Sequence, residues 1–342
     1  MKKVSILFII LALIGAWWAW DKYDSIRGKN VSIDSGEIEF FIYHEDTYEG
    51  VEAKLIQLGI IDNIDSFIWV AEKKSYPDLV KPGRYILKDG MSNNDLVDLL
   101  RAGKQIPLNV SFNNVRNLPQ LAGRLSQKLE ADSIDFLSVL TSDELIEKYG
   151  FERETFISMF IPNTYEMYWT ITPEAFVKRM ASEFKKFWND SRIAKAKALG
   201  LSQSEIVTIA SIVQAEQSLR PEEWPTIAGL YLNRVKRGMK LESDPTVIFA
   251  VGDFGIRRVL NKHLKVDSPY NTYKVKGLPP GPIRMPDVAA VDAVLSAEDH
   301  DYIFMCAKAD LSGYHHFSET LRQHNRYARE YRRTMNNSRI YK

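Results

Sequence analysis

Hydrophobic positions along the chain predict helices, short strands and one long apolar segment near the start. Residues 4–20 form a run of seventeen positions without a charge, and tryptophans close it at 17, 18 and 20. As a helix rising 1.5 Å per residue, this run would span about 26 Å, near the lower limit for a bilayer core. Tryptophan side chains are common at the membrane interface. Because tryptophans occupy the end of the run, the small residues that a signal-peptide cleavage site needs are missing there. The sequence therefore predicts an uncleaved transmembrane anchor over residues 1–23.

Beyond the anchor, changes in the pattern mark the predicted boundaries. Residues 24–36 are polar, with scattered glycine and serine, and are interpreted as a linker. Residues 37–112 combine strand-like ends with two helical stretches. Residues 113–200 carry apolar stripes at helical spacing, and residues 201–342 mix helices with proline-rich loops. We predict an α+β fold: a transmembrane helix, a small α+β module over 37–112, and a larger mixed domain made of a helical lobe and a motif-bearing core.

The small module contains one segment with a specific likeness. Residues 81–92 are typical of a turn, a short strand, a second turn and the start of a helix. This order resembles the closing half of a LysM-type glycan-binding module. The alternative is a small α+β domain that only spaces the rest of the chain from the membrane.

An acid closes one of the most apolar stretches of the chain, residues 206–216. Ser202 and Glu205 have capping-box spacing and predict the helix start, while Arg220 and the proline after it should end the helix. Val213, Ile212 and Ile209 lie three, four and seven positions before Glu216, and all three are apolar. Helical periodicity places them on the same face of the helix as Glu216. Contact with such a surface removes water and raises the pKa of a carboxyl group.

A raised pKa is what a general acid needs near neutral pH. The helix alone also allows an ordinary glutamate at a frayed helix end that reaches solvent or pairs with Arg220. Both interpretations of Glu216 therefore stay open at this level.

Composition narrows the classes of function. A chain of 342 residues is long enough for two or three domains. Its formal net charge of +1 gives no electrostatic case for nucleic acid. The single Cys306 cannot form an internal disulfide. His315 and His316 are adjacent, so on a strand they would point to opposite faces, and we expect neither a metal nor a cofactor.

Several short motifs follow the acidic helix in order. Asp-Pro-Thr at 244–246 favours a turn, and two prolines between glycines at 277–281 predict a stiff, exposed wall for an extended ligand. Earlier, the aromatic segment 160–169 contains Asn163 and Tyr165, which suit sugar rings and hydroxyls. The ordered motifs occupy residues 210–216, 229–234, 238–239, 244–247, 270–273, 277–281, 313–317 and 324–325.

This ordered series resembles the YceG-like endolytic murein transglycosylases over nearly the whole chain. The resemblance implies an enzyme of the cell inner membrane, anchored by one span, with most of the chain on the periplasmic side and with 113–342 as the catalytic domain. It implies that the enzyme cleaves the bond between N-acetylmuramic acid and N-acetylglucosamine in nascent glycan strands, leaves a 1,6-anhydro end and terminates elongation. Implied partners are peptidoglycan strands, the membrane and cell-wall synthases, without nucleic acid.

The resemblance also implies roles for particular residues. Many relatives carry two glutamates in the acidic helix, but Gln214 occupies the first position here, so the catalytic role is carried onto Glu216. One carboxyl can protonate the glycosidic oxygen and then take the proton of the attacking C6 hydroxyl. The expected substrate-binding residues are Asn163, Tyr165, Ser211, Gln214, Asp244, Thr246, Tyr270, Asn271 and Tyr273.

Two other functions stay open on the sequence. A hydrolytic muramidase would need a second carboxylate beside Glu216, and Asp244 is the best candidate, although its place beside Pro245 also suits a residue that only caps a turn. A glycan-binding scaffold without catalysis would recruit synthases through the LysM-like module. Because Gln214 replaces one acid, the scaffold is a real alternative.

Overall fold

The computed structural model describes residues 2–337, and the chain folds into two compact units. The first comprises the chain up to Val110 with Lys128–Ala131 and Tyr165–Thr172, and the second comprises Ser111–Gln127, Asp132–Thr164 and the chain from Pro173 onward. The first unit therefore includes two short segments that the sequence assigned to the larger domain. The domain boundaries drawn from the sequence stay a prediction.

Helices dominate both units. The helices are α1 (Lys2–Arg27), α2 (Tyr48–Leu58), α3 (Ile64–Lys73), α4 (Asn93–Ala102), α5 (Leu118–Ser126), α6 (Ser133–Leu140), α7 (Asp143–Lys148), α8 (Pro173–Phe187), α9 (Asp190–Ala198), α10 (Gln203–Glu216), α11 (Trp224–Lys236), α12 (Asp244–Val251), α13 (Val288–Leu295) and α14 (Leu321–Asn337). The strands are β1 (Glu37–Ile42), β2 (Gly83–Lys88), β3 (Leu108–Phe112), β4 (Asn163–Met167), β5 (Phe304–Ala307) and β6 (His315–Ser318). Short 3₁₀ turns occupy Phe156–Met159, Pro221–Glu223 and His263–Lys265.

The first helix, α1, has two different parts. Its segment Ser5–Arg27 is long and apolar enough to cross a membrane, with a mean hydropathy of 1.5, and no part of its most apolar window is buried in protein. Its last turns pack on the unit instead. Lys22 Nζ lies 4.6 Å from the centre of the Trp69 ring, and Asn93 Nδ2 donates to the Ser25 carbonyl at 2.9 Å.

The first unit is built around the order β1, α2, α3, β2. Strands β1 and β2 pair antiparallel, with Glu37 opposite Lys88 and Ile42 opposite Gly83. Side-chain caps at Thr47 and Asn63 begin the two helices between them. The strands and the two helical stretches that the sequence predicted here are present, together with the additional helix α3. Strands β1 and β2 and helices α2, α3 and α4 surround an apolar core of their own.

Part of the predicted linker packs into this module. Lys29 forms a β-bridge with Ser92, and Val31 forms one with Ile61. Val31 and Ile33 are buried in the core of the module. Because residues 24–36 are mostly polar, the sequence did not indicate that Val31 and Ile33 would be buried. Their burial and the two β-bridges show that residues 29–33 are packed against the module and are not a free linker.

The second unit is centred on α10. This helix contacts α9, α11, α12 and α13, and its residues from 206 to 214 are all buried, so it lies inside the helical layer. The capping box at Ser202 and Glu205 begins it, as predicted. The helix ends at Glu216 because Gln217 adopts an extended conformation, several residues before the proline that was expected to end it. Glu216 therefore occupies the last helical position.

A two-stranded sheet completes the second unit. Strands β5 and β6 pair antiparallel, with Phe304 opposite Ser318 and Ala307 opposite His315. Helix α14 packs against both strands. The side chains of His315 and His316 lie on opposite faces, since His315 contacts Glu223 and His316 stacks on Tyr327 with ring centres 4.1 Å apart.

Candidate active site

Glu216 lines a cavity of about 450 Å³ in the second unit. The residue is half-buried overall, and protein encloses its carboxyl end. Helices α11 and α12, strands β5 and β6, and the start of α14 supply the other walls. The lining residues are Glu216, Leu230, Tyr231, Arg234, Leu241, Glu242, Asp244, Tyr273, Phe304, Met305, Cys306, Ala307, His315, Leu321, His324 and Asn325.

Two hydroxyl groups converge on one oxygen of this carboxyl. Tyr231 Oη donates to Glu216 Oε1 at 2.9 Å, and Ser243 Oγ donates to the same Oε1 in a short hydrogen bond. Neither donates to Oε2. An oxygen that accepts two hydrogen bonds is a poor place for a proton, so the carboxyl proton belongs on Oε2.

The position of Ser243 follows from its place just before α12. As the N-cap residue it would ordinarily accept a hydrogen bond from the first turn, yet it makes no such side-chain bond. Instead, its backbone N–H donates to Thr272 Oγ1 at 3.0 Å, and its carbonyl accepts from Thr246 Oγ1 at 2.7 Å. These bonds fix the backbone on both sides of Ser243, which frees its hydroxyl for Glu216.

The electrostatics of the site favour the protonated carboxyl. Burial raises the pKa of Glu216, and the two hydroxyl donors only partly oppose this effect. The negative charge of Asp244 raises the pKa of Glu216 further, while a positive charge on the His315 ring lowers it. Burial also holds the pKa of Tyr231 well above its usual range, so the phenol stays an O–H donor. The raised pKa of Glu216 agrees with the direction predicted from the apolar face of its helix.

Arg220 does not pair with Glu216. Its guanidinium donates to the Ser312 carbonyl at 3.1 and 2.8 Å and lies 4.6 Å from the centre of the Tyr314 ring. The alternative of a frayed glutamate neutralised by Arg220 therefore does not describe this site.

Asp244 and Tyr273 share the cavity with Glu216. Tyr273 Oη donates to Asp244 Oδ1 at 2.7 Å, and burial together with Asp244 raises the pKa of Tyr273. Asp244 is exposed at the first position of α12, where a negative charge interacts favourably with the helix dipole. The pair places a carboxylate and a phenol on the wall of the cavity.

Two other predicted binding residues lie beneath the wall. Thr246 is fully buried and bonds the Ser243 carbonyl, and Asn271 is fully buried and donates to the Leu264 and Val266 carbonyls at 2.9 and 2.8 Å. Asn271 Oδ1 also accepts the backbone N–H of Tyr273 at 3.1 Å. Their polar atoms organise the loops that carry Ser243 and Tyr273.

The remaining predicted binding residues do not line the cavity. Ser211 is fully buried and links α10 to the Ile283 backbone at 3.1 Å. Tyr270 lies against Phe249, with ring centres 4.8 Å apart, and burial raises its pKa to about 12. Asn163 is exposed, and Tyr165 is buried in the first unit. Binding roles for these residues stay predictions.

Gln214 faces the interior rather than the cavity. Its Nε2 donates to Asp287 Oδ2 at 2.6 Å, and its Oε1 accepts the Asp287 backbone N–H at 2.8 Å. The side chain thus joins α10 to the start of α13. A glutamate here would oppose the Asp287 carboxylate, which gives a physical reason for the amide in this chain.

Sequence reasoning missed several groups of the site. Tyr231 lies in the motif at 229–234 but was not named as a site residue, and Ser243 would be expected to cap α12. Arg234 is buried and donates to the Ile303 carbonyl at 2.6 Å and the Leu241 carbonyl at 3.0 Å, which holds the cavity wall together.

The fold and the site define a class of protein: a largely helical α+β protein in which the hydrogen-bonded carboxyl group of Glu216 lines a polar cavity. A model of the YceG-like family matches residues 40–330, and the chain belongs to this family. A 2.6 Å crystal structure of a yceG-like protein from Listeria monocytogenes superposes with a TM-score of 0.56 at 25% identity, covering 86% of this chain and 99% of that one.

Two relatives with named activities are similar in sequence. An endolytic murein transglycosylase of Bacillus subtilis (strain 168) is 38% identical over 131 residues, which is 38% of this chain and 35% of that protein. An endolytic murein transglycosylase of Streptococcus pneumoniae serotype 2 is 27% identical over 347 residues, covering 90% of this chain and 61% of that protein. The chain thus spans about a third and about three fifths of the length of these relatives.

Proposed function

We propose that this protein is a membrane-anchored endolytic murein transglycosylase. It would cleave the glycosidic bond between N-acetylmuramic acid and N-acetylglucosamine within a glycan strand, leave a 1,6-anhydro end and so terminate elongation. The observation that carries the proposal is the enclosed carboxyl group of Glu216. Both hydroxyl donors bind its Oε1, and its Oε2 is left to carry the proton. Family membership and the names of the two similar proteins support the same reaction.

The proposed chemistry needs one proton donated and one removed. Glu216 Oε2 protonates the glycosidic oxygen as its bond to C1 breaks, and the muramyl C6 hydroxyl attacks C1. A carboxyl that has given up its proton is a base, so Glu216 can perform both transfers in turn. The hydroxyls of Tyr231 and Ser243 stabilise the carboxylate formed after the first transfer, because hydrogen bonds to a charged acceptor are stronger than those to a neutral one.

Hydrolysis is the second candidate, because Asp244 lines the same cavity as Glu216. A hydrolytic muramidase would use Asp244 as the second carboxylate of a glycosidase pair. Mass spectrometry of the glycan ends after digestion separates the two reactions. An anhydro end, lighter by one water, supports the transglycosylase, whereas a reducing muramic acid end would support hydrolysis and overturn our assignment.

The parts outside the cavity fit this activity. The strand–helix–helix–strand order of the first unit supports a LysM-like glycan-binding module, and the apolar helix α1 supports a single span. We place the bulk of the chain on the periplasmic side of the inner membrane, close to cell-wall synthases of elongation or division. Glycan-strand binding by the separate segment 24–112 tests the module, and loss of the module without loss of strand binding would contradict it.

A further inference from the structure

A second polar cluster lies next to Glu216 and has no part in the proton transfers assigned to that carboxyl. Glu223, in the short turn before α11, is buried with 7% of its surface exposed. Three N–H groups converge on its carboxylate. The His315 backbone N–H donates to Oε1 at 2.8 Å, and His315 Nδ1 and Gln217 Nε2 approach Oε2 at 2.8 and 2.7 Å.

This cluster fixes the position of the His315 ring. Its side chain is 16% exposed and lines the same cavity as Glu216. Both its backbone and its ring are held by one carboxylate, which is itself held by Gln217, the residue directly after Glu216. The end of α10 and the first residue of β6 are therefore linked through Glu223.

The cluster also fixes which ring nitrogen carries hydrogen. An ionised Glu223 can only accept, so Nδ1 donates to Oε2 across the 2.8 Å contact. In the neutral imidazole, Nε2 then holds a lone pair, and Nε2 becomes the one atom of the side chain that can take up a proton. A buried carboxylate that sets the tautomer of a histidine is a known way to prepare a base.

The other histidine of the cavity is not prepared in this way. Within the described residues, His324 Nδ1 is buried without a hydrogen-bond partner, and its ring stacks on Phe304 with centres 5.4 Å apart. Of the two carboxylates besides Glu216, Asp244 accepts from Tyr273 and Glu242 pairs with Arg234 at 3.1 Å. Among the groups that line the cavity, His315 is thus the oriented nitrogen base.

We propose that His315 Nε2, in place of the Glu216 carboxylate, receives the proton of the muramyl C6 hydroxyl, so that two groups share the two proton transfers. This inference rests on the proposed transglycosylase function and deepens it. Glu216 gives its proton to the glycosidic oxygen, which keeps the electron pair of the breaking bond to C1. The C6 oxygen forms the new bond to C1, and its proton moves to Nε2. The imidazolium then returns a proton to the Glu216 carboxylate through solvent, which restores both groups without consuming water.

The first test replaces the base and its neighbour in parallel. His315→Gln should lower kcat by about 10²-fold and leave KM within about threefold, the size of effect usual for a general base. His316→Gln is the matched control, because His316 lies on the other face of β6 against Tyr327, and it should keep wild-type kinetics. A kcat for His315→Gln within about threefold of wild type, or a loss confined to KM, would overturn the proposal.

Two further variants keep the test decisive if the glutamine disturbs folding. In His315→Ala, free imidazole should restore at least about a tenth of the lost rate, since it can occupy the space of the ring; no restoration would assign the loss to structure and overturn the proposal. Glu223→Gln should lower kcat to a similar extent with KM retained, because its amide N–H turns toward Nδ1 and forces the hydrogen onto Nε2. Exposed Glu222→Gln is the control for that substitution.

The outcome is separable from that of the proposed function. If Glu216→Gln abolishes cleavage while His315→Gln leaves kcat unchanged, only the assignment of the second transfer fails. If Glu216→Gln cleaves strands at the normal rate, the transglycosylase mechanism itself fails.

Discussion

Two polar side chains near the end of α10 lie two positions apart and meet opposite surroundings. Gln214 turns into the helical layer, where Asp287 satisfies both ends of its amide. Glu216 turns into the cavity, where two hydroxyls bind one oxygen and the other remains available to a ligand. The Gln214 amide therefore makes its hydrogen bonds within the fold, whereas the Glu216 carboxyl group keeps one oxygen for chemistry. The face of α10 on which each side chain lies, rather than its residue type, decides that Gln214 supports the fold and Glu216 serves the site.

The largest expected effect comes from removing the acid. Glu216→Gln should lower the rate of glycan-strand cleavage by about 10³-fold, because an amide cannot protonate the glycosidic oxygen. Release of anhydro-ended products from purified strands measures it. Glu319→Gln, an exposed glutamate of the same unit, is the control and should cleave normally. Undiminished cleavage by Glu216→Gln would favour a glycan-binding scaffold or another acid.

The structural partner should respond in stability rather than in chemistry. Gln214→Glu places two carboxylates against each other between α10 and α13, and we expect a loss of about 1–3 kcal/mol in the free energy of unfolding. Adding Asp287→Asn should recover much of this loss, because the new amide can donate to the new carboxylate. Denaturant unfolding of the single and double variants measures both. Equal stability of Gln214→Glu and wild type would show that the amide pair is dispensable.

The hydroxyl donors should tune the acid without replacing it. Ser243→Ala should lower kcat by about ten- to a hundredfold, since a hydrogen bond to a charged group contributes about 1.5–3 kcal/mol. The donor lowers the pKa of Glu216, so its loss raises that pKa, and the fall in rate on the alkaline side should move to higher pH. Ser296→Ala, an exposed serine at the end of α13, serves as control. An unshifted pH profile would mean that Ser243 does not act through Glu216.

The smallest effect concerns the energetic cost of the enclosed acid. Burial raises the folded-state pKa of Glu216 above its unfolded value of about 4.3, so ionisation destabilises the fold above that pH and not below it. Glu216→Gln should therefore raise the melting temperature by about 2 °C at pH 7, with the gain fading as pH falls toward about 4. A gain of the same size at both pH values would assign it to packing instead of charge.

Local patterns predicted the elements around these sites well. The capping box, the apolar run of α10 and the strands and helical stretches of the first unit follow from periodicity and short-range hydrogen bonding, which act within a few residues. The end of α10 and the role of residues 29–33 were misjudged. Both depend on contacts with distant segments, such as the bridge from Val31 to Ile61, that no local rule describes.

The candidate site was predictable only in part for the same reason. Glu216 could be found because an acid at the end of an apolar helical face is unusual within its own segment. Tyr231 and Ser243 could not, since each obeys an ordinary local pattern, one as a core residue of α11 and the other as a cap of α12. Their hydroxyls acquire a role only when three helices bring them to the same carboxyl oxygen.

By itself, the sequence determined the helices, the membrane-compatible segment, the order of motifs and the acid at the end of α10, because periodicity, capping and burial tendencies are properties of neighbouring residues. The tertiary structure alone decided which polar groups face Glu216, which predicted binding residues support the wall from beneath, and how Glu223 holds His315. Those facts depend on distances between segments that lie far apart in the chain, such as Gln217 and Gly313, and only packing sets such distances.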